Sequence, residues 1–215
     1  MNAATTYIMM TEETNEKLKE IKRSFRSVMN GVASSSMRHK GVEYRINWGV
    51  NLVELRRMSD ADAKDLDLAV ALWKENIREC KILATLLMPY DKMSEELAEV
   101  WAEQIQSQEM AEMLASNLLQ HTDFAAPLAF RWMACVNPMY QICAFTIISK
   151  LFAKGNEPDD REINEFLDQA VVCMQGEHIG AAHAAMNAIV HFSGLGEDYC
   201  NIARMATVKA GLDIL

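Results

Sequence analysis

The chain has 215 residues, of which 50% are hydrophobic and 24% charged, so it can bury a sizeable core and has no compositional mark of disorder. Nine glycines and four prolines are too few for the many tight turns of a β-sandwich or β-barrel, which favours an all-α fold. No window approaches the roughly 18 apolar residues of a membrane span, and residues 1–10 lack a signal-peptide pattern, so we expect a cytoplasmic protein without membrane association.

The formal net charge of −9 is unevenly distributed along the chain. Up to Arg57 there are ten basic and six acidic residues, whereas the remainder has eleven basic and twenty-four acidic residues. Because phosphate binding depends on clustered Lys and Arg, the basic amino-terminal end is the surface that we expect to contact nucleic acid. The alternative is an ordinary solvated helix face followed by a loop.

The first predicted elements are two helices and a connector. Thr11 is a capping residue, and the apolar spacing after it predicts an amphipathic helix as far as residue 32. A short helix over 34–40 is predicted next, with Gly41 as its stop. Residues 42–50 are irregular and rich in aromatic side chains, so we interpret them as a connector that folds onto the domain, with the alternative of a hydrophobic plug. The next helix begins near residue 51.

The remainder of the chain is predicted to be a succession of helices with short breaks. The breaks contain glycine, proline, Asn or Asp, which end helices or begin new ones. The predicted helices cover 63–88, interrupted or bent near the middle, and 94–106, 109–120, 124–134, 138–153, 161–174, 178–192 and 197–210.

Consecutive helices with short links pack antiparallel, and a period of roughly 30–40 residues per pair is typical of an α-solenoid. We therefore predict a single domain over residues 1–215, an α-α superhelix of HEAT-like antiparallel helix pairs. A non-repetitive helical bundle is the alternative, because no crisp repeat consensus is visible. The apolar helix 138–153 and the small-residue-rich helix 178–192 are predicted to be central.

Few residue patterns point to catalysis or to a metal. His183, Asn187 and His191 follow one helix face at four-residue steps, either as a polar ladder at a helix interface or as a ligand-facing stripe. The outer histidines are two turns apart, about 12 Å, which is too far to share a metal ion. The five cysteines are scattered and are interpreted as buried free thiols. No serine elbow or phosphate loop is present, and we expect no metal and no cofactor.

Three segments carry a resemblance to a known family. They are Leu72-Trp73 with Arg78-Glu79 and the following Ala-Thr-Leu-Leu, the stretch from Asn47-Trp48-Gly49-Val50 to Leu55-Arg56, and Arg131-Trp132-Met133 followed by Asn137 and Gln141. Together they resemble the AlkD-like DNA alkylation repair family over about residues 27–154.

The resemblance implies a curved HEAT-like solenoid that holds duplex DNA by its backbone, and a DNA glycosylase that removes N3- or N7-alkylated purines. Such a cationic base is already a good leaving group, so one carboxylate and tryptophans packing the lesion could suffice. The expected phosphate contacts are Arg45, Arg56, Arg57, Lys74, Arg78 and Lys81, and Asn51 stands where the family has a glutamine near the DNA.

The chain departs from the family at the catalytic positions. The family has Trp and Asp four residues apart at the start of the helix that corresponds to 107–119, where this chain reads Gln108-Glu109-Met110-Ala111-Glu112. Glu109 and Glu112 are the candidate carboxylates, after a register shift, and the family's next arginine falls at Ile142. The alternative to a DNA-binding protein is a non-catalytic helical scaffold that binds a protein or peptide partner.

Overall fold

The fold is all-helical in the computed structural model, which describes residues 11–61, 63–212 and 214–215. Over these residues there are twelve α-helices, three short 3₁₀ turns and no strand longer than an isolated bridge. None of the described helices has both the length and the apolar character needed to cross a membrane. The residues form two compact units, Met1–Lys92 and Met93–Leu215. A division into compact units does not show whether the two units fold separately, so the single domain stays a prediction.

The amino-terminal unit contains five helices, one of which is buried at its centre. α4 packs against both α1 and α5, and α3 packs against α5. α5 lies at the centre, because nine of its ten residues are buried. The helices are α1 (Glu12–Ser24), α2 (Gly31–His39), α3 (Leu52–Ala61), α4 (Leu66–Lys74) and α5 (Arg78–Leu87). Of the two alternatives predicted for 63–88, the interruption is confirmed, since α4 ends at Lys74 and α5 begins at Arg78.

The connector predicted at 42–50 is a hydrogen-bonded strap, and we use that name for these residues. The buried carboxylate of Glu79, on the first turn of α5, accepts hydrogen bonds from the backbone N–H groups of Trp48 and Val50, both at 3.2 Å. Arg78 lies beside Glu79 at 3.1 Å and donates to the Val50 carbonyl at 2.9 Å. The charges of both side chains are therefore compensated inside the protein, and the strap is fixed along α5.

The other side of the strap is bonded to α2. The Trp48 carbonyl accepts from the backbone N–H of Asn30 at 2.9 Å, and the Asn47 carbonyl accepts from the Ser34 hydroxyl at 2.7 Å. The Asn30 side chain caps α2, so this helix begins before residue 34 and the predicted helix over 11–32 is wrong after residue 27. The apolar spacing from Val28 to Val32 suggested that the buried face of the first helix continues, but Val32 is 82% exposed.

The carboxy-terminal unit is built of two helix layers. α9 lies between α7 and α11 in one layer, while α8 and α12 both pack against α10 in the other. α6 lies beside α8, where Glu99 accepts a hydrogen bond from the Trp132 indole N–H at 2.8 Å. The helices are α6 (Glu95–Ala102), α7 (Gln108–Asn117), α8 (Ala125–Met133), α9 (Pro138–Ala153), α10 (Asp160–Met174), α11 (Ile179–Ser193) and α12 (Glu197–Lys209).

The two helices predicted to be central form the core of this unit. Asn137 caps α9 and Pro138 occupies its first turn, which gives the predicted bounds 138–153 without change. Four alanines of α11 are at most 8% exposed, as expected of small residues at a close helix contact. A cluster of aromatic rings with centroids 5.1–6.5 Å apart fills the space between α9, α10 and α11, and it contains Phe145, Phe152, Phe166 and Phe192.

We predict that Gly49→Ala destabilises the protein strongly. Gly49 has φ +70°, and a Cβ atom there would lie 2.2 Å from the Asn30 carbonyl oxygen and 2.7 Å from the Ser34 nitrogen. Strain and collision together should cost roughly 3 kcal/mol or more of unfolding free energy, measured by urea unfolding. Gly41→Ala is the matched control, because Gly41 has φ +80° with no atom within 4 Å and should lose only about 1–2 kcal/mol. Equal losses would show that the strap is not pressed against α2.

Lys81 is a buried lysine whose charge opposes folding at neutral pH. It is 8% exposed, its Nζ atom lies 4.3 Å from the centre of the Trp73 ring, and it donates to the Trp73 carbonyl at 2.9 Å. Burial lowers the pKa of Lys81 to about 8, with the Cys80 thiol acting in the opposite direction. An unfolded lysine titrates near 10.4. Between these values the unfolded chain holds a proton that the folded protein has released.

Wild-type stability should therefore rise, relative to Lys81→Met, as the pH increases from 8 to 10. Below pH 8 both states are protonated, and the cost of burying the ammonium group is present in full. We expect a relative gain of roughly 1–3 kcal/mol in unfolding free energy, measured by urea titration of both proteins at each pH. Thiol ionisation is common to the two proteins and cancels. A constant difference across this window would contradict the assignment.

Candidate functional site

The predicted DNA contacts Arg45 and Lys74 both belong to the region of the turn between α4 and α5. Both side chains are exposed. The Asn76 side chain in this turn accepts a hydrogen bond from the backbone N–H of Arg45 at 3.4 Å, and Ile46 forms a bridge with Ile77. The strap thus brings Arg45 to the carboxyl end of α4, where Lys74 is the last residue.

Two further cations belong to the same surface, although the sequence analysis did not select them as contacts. Lys22 on α1 forms an ion pair at 3.0 Å with Glu75, the residue after Lys74. Arg26, four residues further along, is exposed, and its Cζ atom lies 5.9 Å from the centre of the Trp48 ring in the strap. The four-residue spacing of Lys22 and Arg26, which puts both on one helix face, was the sequence signal that could have identified them. We define the junction patch as Lys22, Arg26, Arg45 and Lys74.

The predicted contacts Asn51, Arg56 and Arg57 belong to α3. The Asn51 Oδ1 atom caps this helix by accepting from the Glu54 backbone N–H at 2.9 Å, and the amide nitrogen of Asn51 can still donate. Arg56 and Arg57 are exposed, and Arg57 donates to Glu54 at 2.8 and 3.0 Å. An exposed ion pair is worth at most about 1 kcal/mol, so Arg57 can exchange this partner for a phosphate.

Arg78 and Lys81 are not on the surface where the sequence analysis expected them. They lie on α5, whereas Lys74 lies on α4, so the three side chains do not share one helix face. Arg78 is 2% exposed and Lys81 is 8% exposed, and each donates to a backbone carbonyl group in the interior. We therefore exclude these two residues from the candidate DNA surface.

The carboxy-terminal unit has a polar groove of about 470 Å³ across α7, α9 and α11. Thr146, Ser149 and Lys150 contribute from α9, and the sequence analysis missed them because that helix looked uniformly apolar. The sequence signal that could have identified them is the occurrence of three polar residues within five positions of an otherwise apolar helix. The full lining is Gln108, Glu112, Met113, Ser116, Thr146, Ser149, Lys150, His183, Ala184, Asn187 and His191.

The two candidate carboxylates are placed differently. Glu112 lines the groove, and its Oε1 atom accepts a hydrogen bond from the Gln108 side-chain amide at 2.8 Å. Glu109 is half-buried on α7 and does not belong to the lining. Gln108 and Glu112 are four residues apart, so they form one polar pair on the groove side of the helix.

The stripe of His183, Asn187 and His191 faces the groove rather than a helix interface. All three residues are exposed and belong to the lining. His191 Nδ1 lies 2.8 Å from the Ser149 hydroxyl and 3.0 Å from the Asn187 carbonyl, which fixes its ring against α9. Within the described part of the chain, no group of three or more His, Cys, Asp or Glu side chains could hold a metal ion.

Acidic charge is concentrated in the helix layer that does not form the groove. α7, α9 and α11 together contain two acidic residues, and α9 and α11 contain none, whereas α6, α10 and α12 contain nine. By sequence, Met1–Lys92 has fifteen basic and thirteen acidic residues, and Met93–Leu215 has six and seventeen. The net charge of the second unit therefore does not describe its groove.

Both tryptophans and two of the four thiols of the carboxy-terminal unit are buried, whereas Cys135 and Cys200 are half-buried, so the prediction of buried thiols is wrong for these two. Trp101 is 2% exposed and Trp132 is 1% exposed, so neither supplies the aromatic wall of the groove that the resemblance implied. Cys143 and Cys173 are buried, and burial raises the pKa of the Cys173 thiol to about 11 and also that of Cys143. A thiol held protonated in this way is a poor nucleophile.

Comparison with known proteins places this geometry in a family. No curated protein matches the sequence. One solved structure matches this chain with a TM-score of 0.78 and 15% sequence identity, and the match covers 88% of this chain and 83% of that chain. That structure is described as "A new family of proteins related to the HEAT-like repeat DNA glycosylases with affinity for branched DNA structures". This likeness confirms the HEAT-like fold. The family model described as "DNA alkylation repair enzyme" matches residues 12–178, and the chain therefore belongs to the DNA alkylation repair family.

Proposed function

We propose that the protein binds the sugar-phosphate backbone of DNA through the amino-terminal unit. The observation that carries this proposal is the junction patch, in which the strap is bonded through the Arg45 backbone to Asn76, two residues after the exposed Lys74 at the end of α4. Guanidinium and ammonium groups in such a cluster bind phosphate oxygens without reading sequence. Arg56, Arg57 and the Asn51 amide on α3 extend the proposed surface.

Two further findings support this proposal. The chain is a member of the DNA alkylation repair family, and a solved relative with the same fold is described as having affinity for branched DNA. Contacts with the backbone depend on phosphate spacing rather than on bases, so they suit duplex and branched DNA alike. The proposal covers both forms.

Binding of duplex DNA and of a four-way junction should fall steeply with salt. Each phosphate contact contributes about 0.9 to the slope of log K against log salt, so Arg45→Ala/Lys74→Ala should reduce the slope by about 2 and weaken binding to all sequences alike. Arg56→Ala/Arg57→Ala should act similarly. Fluorescence anisotropy over a salt series gives the slopes.

Lys209→Ala is the matched control for Lys74→Ala, because Lys209 is also an exposed lysine in the last turn of a helix. It should leave the affinity and the salt slope unchanged. Wild-type protein that binds neither DNA at low salt would remove the proposal. A stoichiometric protein partner that DNA does not displace would then favour the scaffold hypothesis.

Excision of alkylated purines is a second candidate function, favoured by the carboxylate of Glu112 in the groove. In such a reaction the bond from C1′ to the purine breaks, its electron pair neutralises the cationic base, and water adds to C1′ with loss of a proton. A carboxylate can stabilise the sugar cation or accept the proton of the water. Glu112 is placed for either role if a sugar enters the groove.

If the protein is a glycosylase, Glu112→Gln should abolish release of 7-methylguanine from alkylated DNA, with a fall of at least about 100-fold in rate. Glu109→Gln is the control and should retain activity, because Glu109 lies outside the groove lining. Chromatography of released bases is the measurement. No release by wild-type protein would end this candidate and leave the binding proposal intact.

A further inference from the structure

α12 has an apolar outer face in addition to the face that packs on the carboxy-terminal unit. Ala203 and Thr207 are buried and mark the inner face. On the opposite side of the helix, Met205 is 74% exposed, and Ile202 and Val208 are exposed as well. Single exposed apolar residues are common on protein surfaces, whereas three on one helix face form a continuous strip, which is typical of a surface that binds another chain.

The outer face has the spacing of a coiled-coil seam. Asp198, Ile202, Met205 and Lys209 follow each other at steps of four, three and four residues, which is the spacing of the a and d positions of a heptad. All four side chains are exposed. We call these four residues the α12 seam. It has two apolar residues in its middle, a carboxylate at its amino end and an ammonium group at its carboxyl end.

We propose that the α12 seam binds a second copy of this chain, with the two α12 helices antiparallel across a two-fold axis. In this pairing Asp198 of one copy lies opposite Lys209 of the other, and Ile202 lies opposite Met205. The two-fold axis makes each contact twice, so one helix face supplies two ion pairs and two apolar pairs. The inference is independent of the proposed DNA binding.

The charges of the α12 seam select both the occupant and its orientation. A parallel pair would place Asp198 against Asp198 and Lys209 against Lys209, so like-charge repulsion disfavours it. α12 contains two acidic and two basic residues and has no net charge, although Met93–Leu215 as a whole has six basic and seventeen acidic residues. Two copies can therefore meet at α12 without the local repulsion that their acidic helices would cause.

The size of the α12 seam determines how strongly two copies should bind. α12 has 13 residues, and a helix of this length is about 20 Å long and 10–12 Å wide with its side chains. One face of it presents a few hundred Å² at most, less than the roughly 800 Å² per partner of a standard interface. We therefore expect a reversible dimer with a Kd on the order of 10–100 μM.

Sedimentation equilibrium of the protein at physiological salt, from about 5 to about 500 μM, tests the proposal. The wild-type protein should pass reversibly from monomer to dimer over this range. Met205→Glu should weaken dimerisation at least about tenfold, because symmetry places a carboxylate against Ile202 of the other copy twice. Val53→Glu is the matched control, since Val53 on α3 is also 74% exposed, and it should leave the dimer unchanged.

An exchange of the two charges tests the orientation. Asp198→Lys and Lys209→Asp should each weaken the dimer about fivefold or more, because each turns both ion pairs into like-charge contacts. The double variant Asp198→Lys/Lys209→Asp should dimerise as the wild type does, since its ion pairs are restored in reverse. In a parallel dimer the wild type and all three variants would have like-charge contacts, so the exchange would change little.

A protein that stays monomeric up to about 500 μM would overturn the proposal, and so would a dimer that Met205→Glu leaves intact. Failure of the double variant to recover what the single variants lose would overturn the antiparallel pairing. DNA titrations can be run well below about 10 μM, where the protein is monomeric, so dimerisation and DNA binding are separate readouts. Lys209→Ala then remains a valid control for DNA binding.

Discussion

The buried carboxylate of Glu79 organises the amino-terminal unit. It accepts hydrogen bonds from two backbone N–H groups of the strap, and Arg78 neutralises its charge from the same turn of α5. A buried carboxylate that lost these donors would cost several kcal/mol, so the strap and α5 constrain each other. Arg45 reaches the end of α4 because the strap is held here. The proposed DNA surface is therefore set by an interior ion pair that no phosphate touches.

In the carboxy-terminal unit, charge follows the layering of the helices. Two helices of the groove layer, α9 and α11, lack carboxylates, and the acidic side chains are on helices of the opposite layer. Because of this separation, the negative net charge of the unit does not describe the charge of the groove. Charge summed over a sequence predicts solubility and long-range steering, whereas contact with a ligand depends on the groups that line one face.

Helix periodicity was sufficient to predict the all-helical fold. It failed to predict helix starts and side-chain burial where these depend on tertiary hydrogen bonds. α9 has its predicted bounds, and the other carboxy-terminal helices agree within four residues at either end. α2 begins at Gly31 because the Asn30 side chain caps it, and the Asn30 backbone is also bonded to the strap, a contact that no local pattern reveals. Similarly, Arg78 and Lys150 are both cations on largely apolar helices. Arg78 is buried because Glu79 and the Val50 carbonyl receive it, whereas Lys150 lies beside polar neighbours in the groove. The Val50 carbonyl and the groove side chains of α7 and α11 lie on other elements of the fold, so composition and spacing could not separate these two cations.

An acidic protein can bind DNA if its negative charges are far enough from the contact. Adjacent packed helices have axes 8–10 Å apart, so side chains on the outer side of the second layer lie further than that from the groove. The Debye length at physiological ionic strength is about 8 Å, and exposed charges beyond it are largely screened. Repulsion from α10 and α12 should therefore slow the approach of DNA at low salt more than it weakens a bound complex at physiological salt. Under those conditions, the side chains within one Debye length of a bound phosphate decide the affinity, and the charged side chains that line the groove are Lys150 and Glu112.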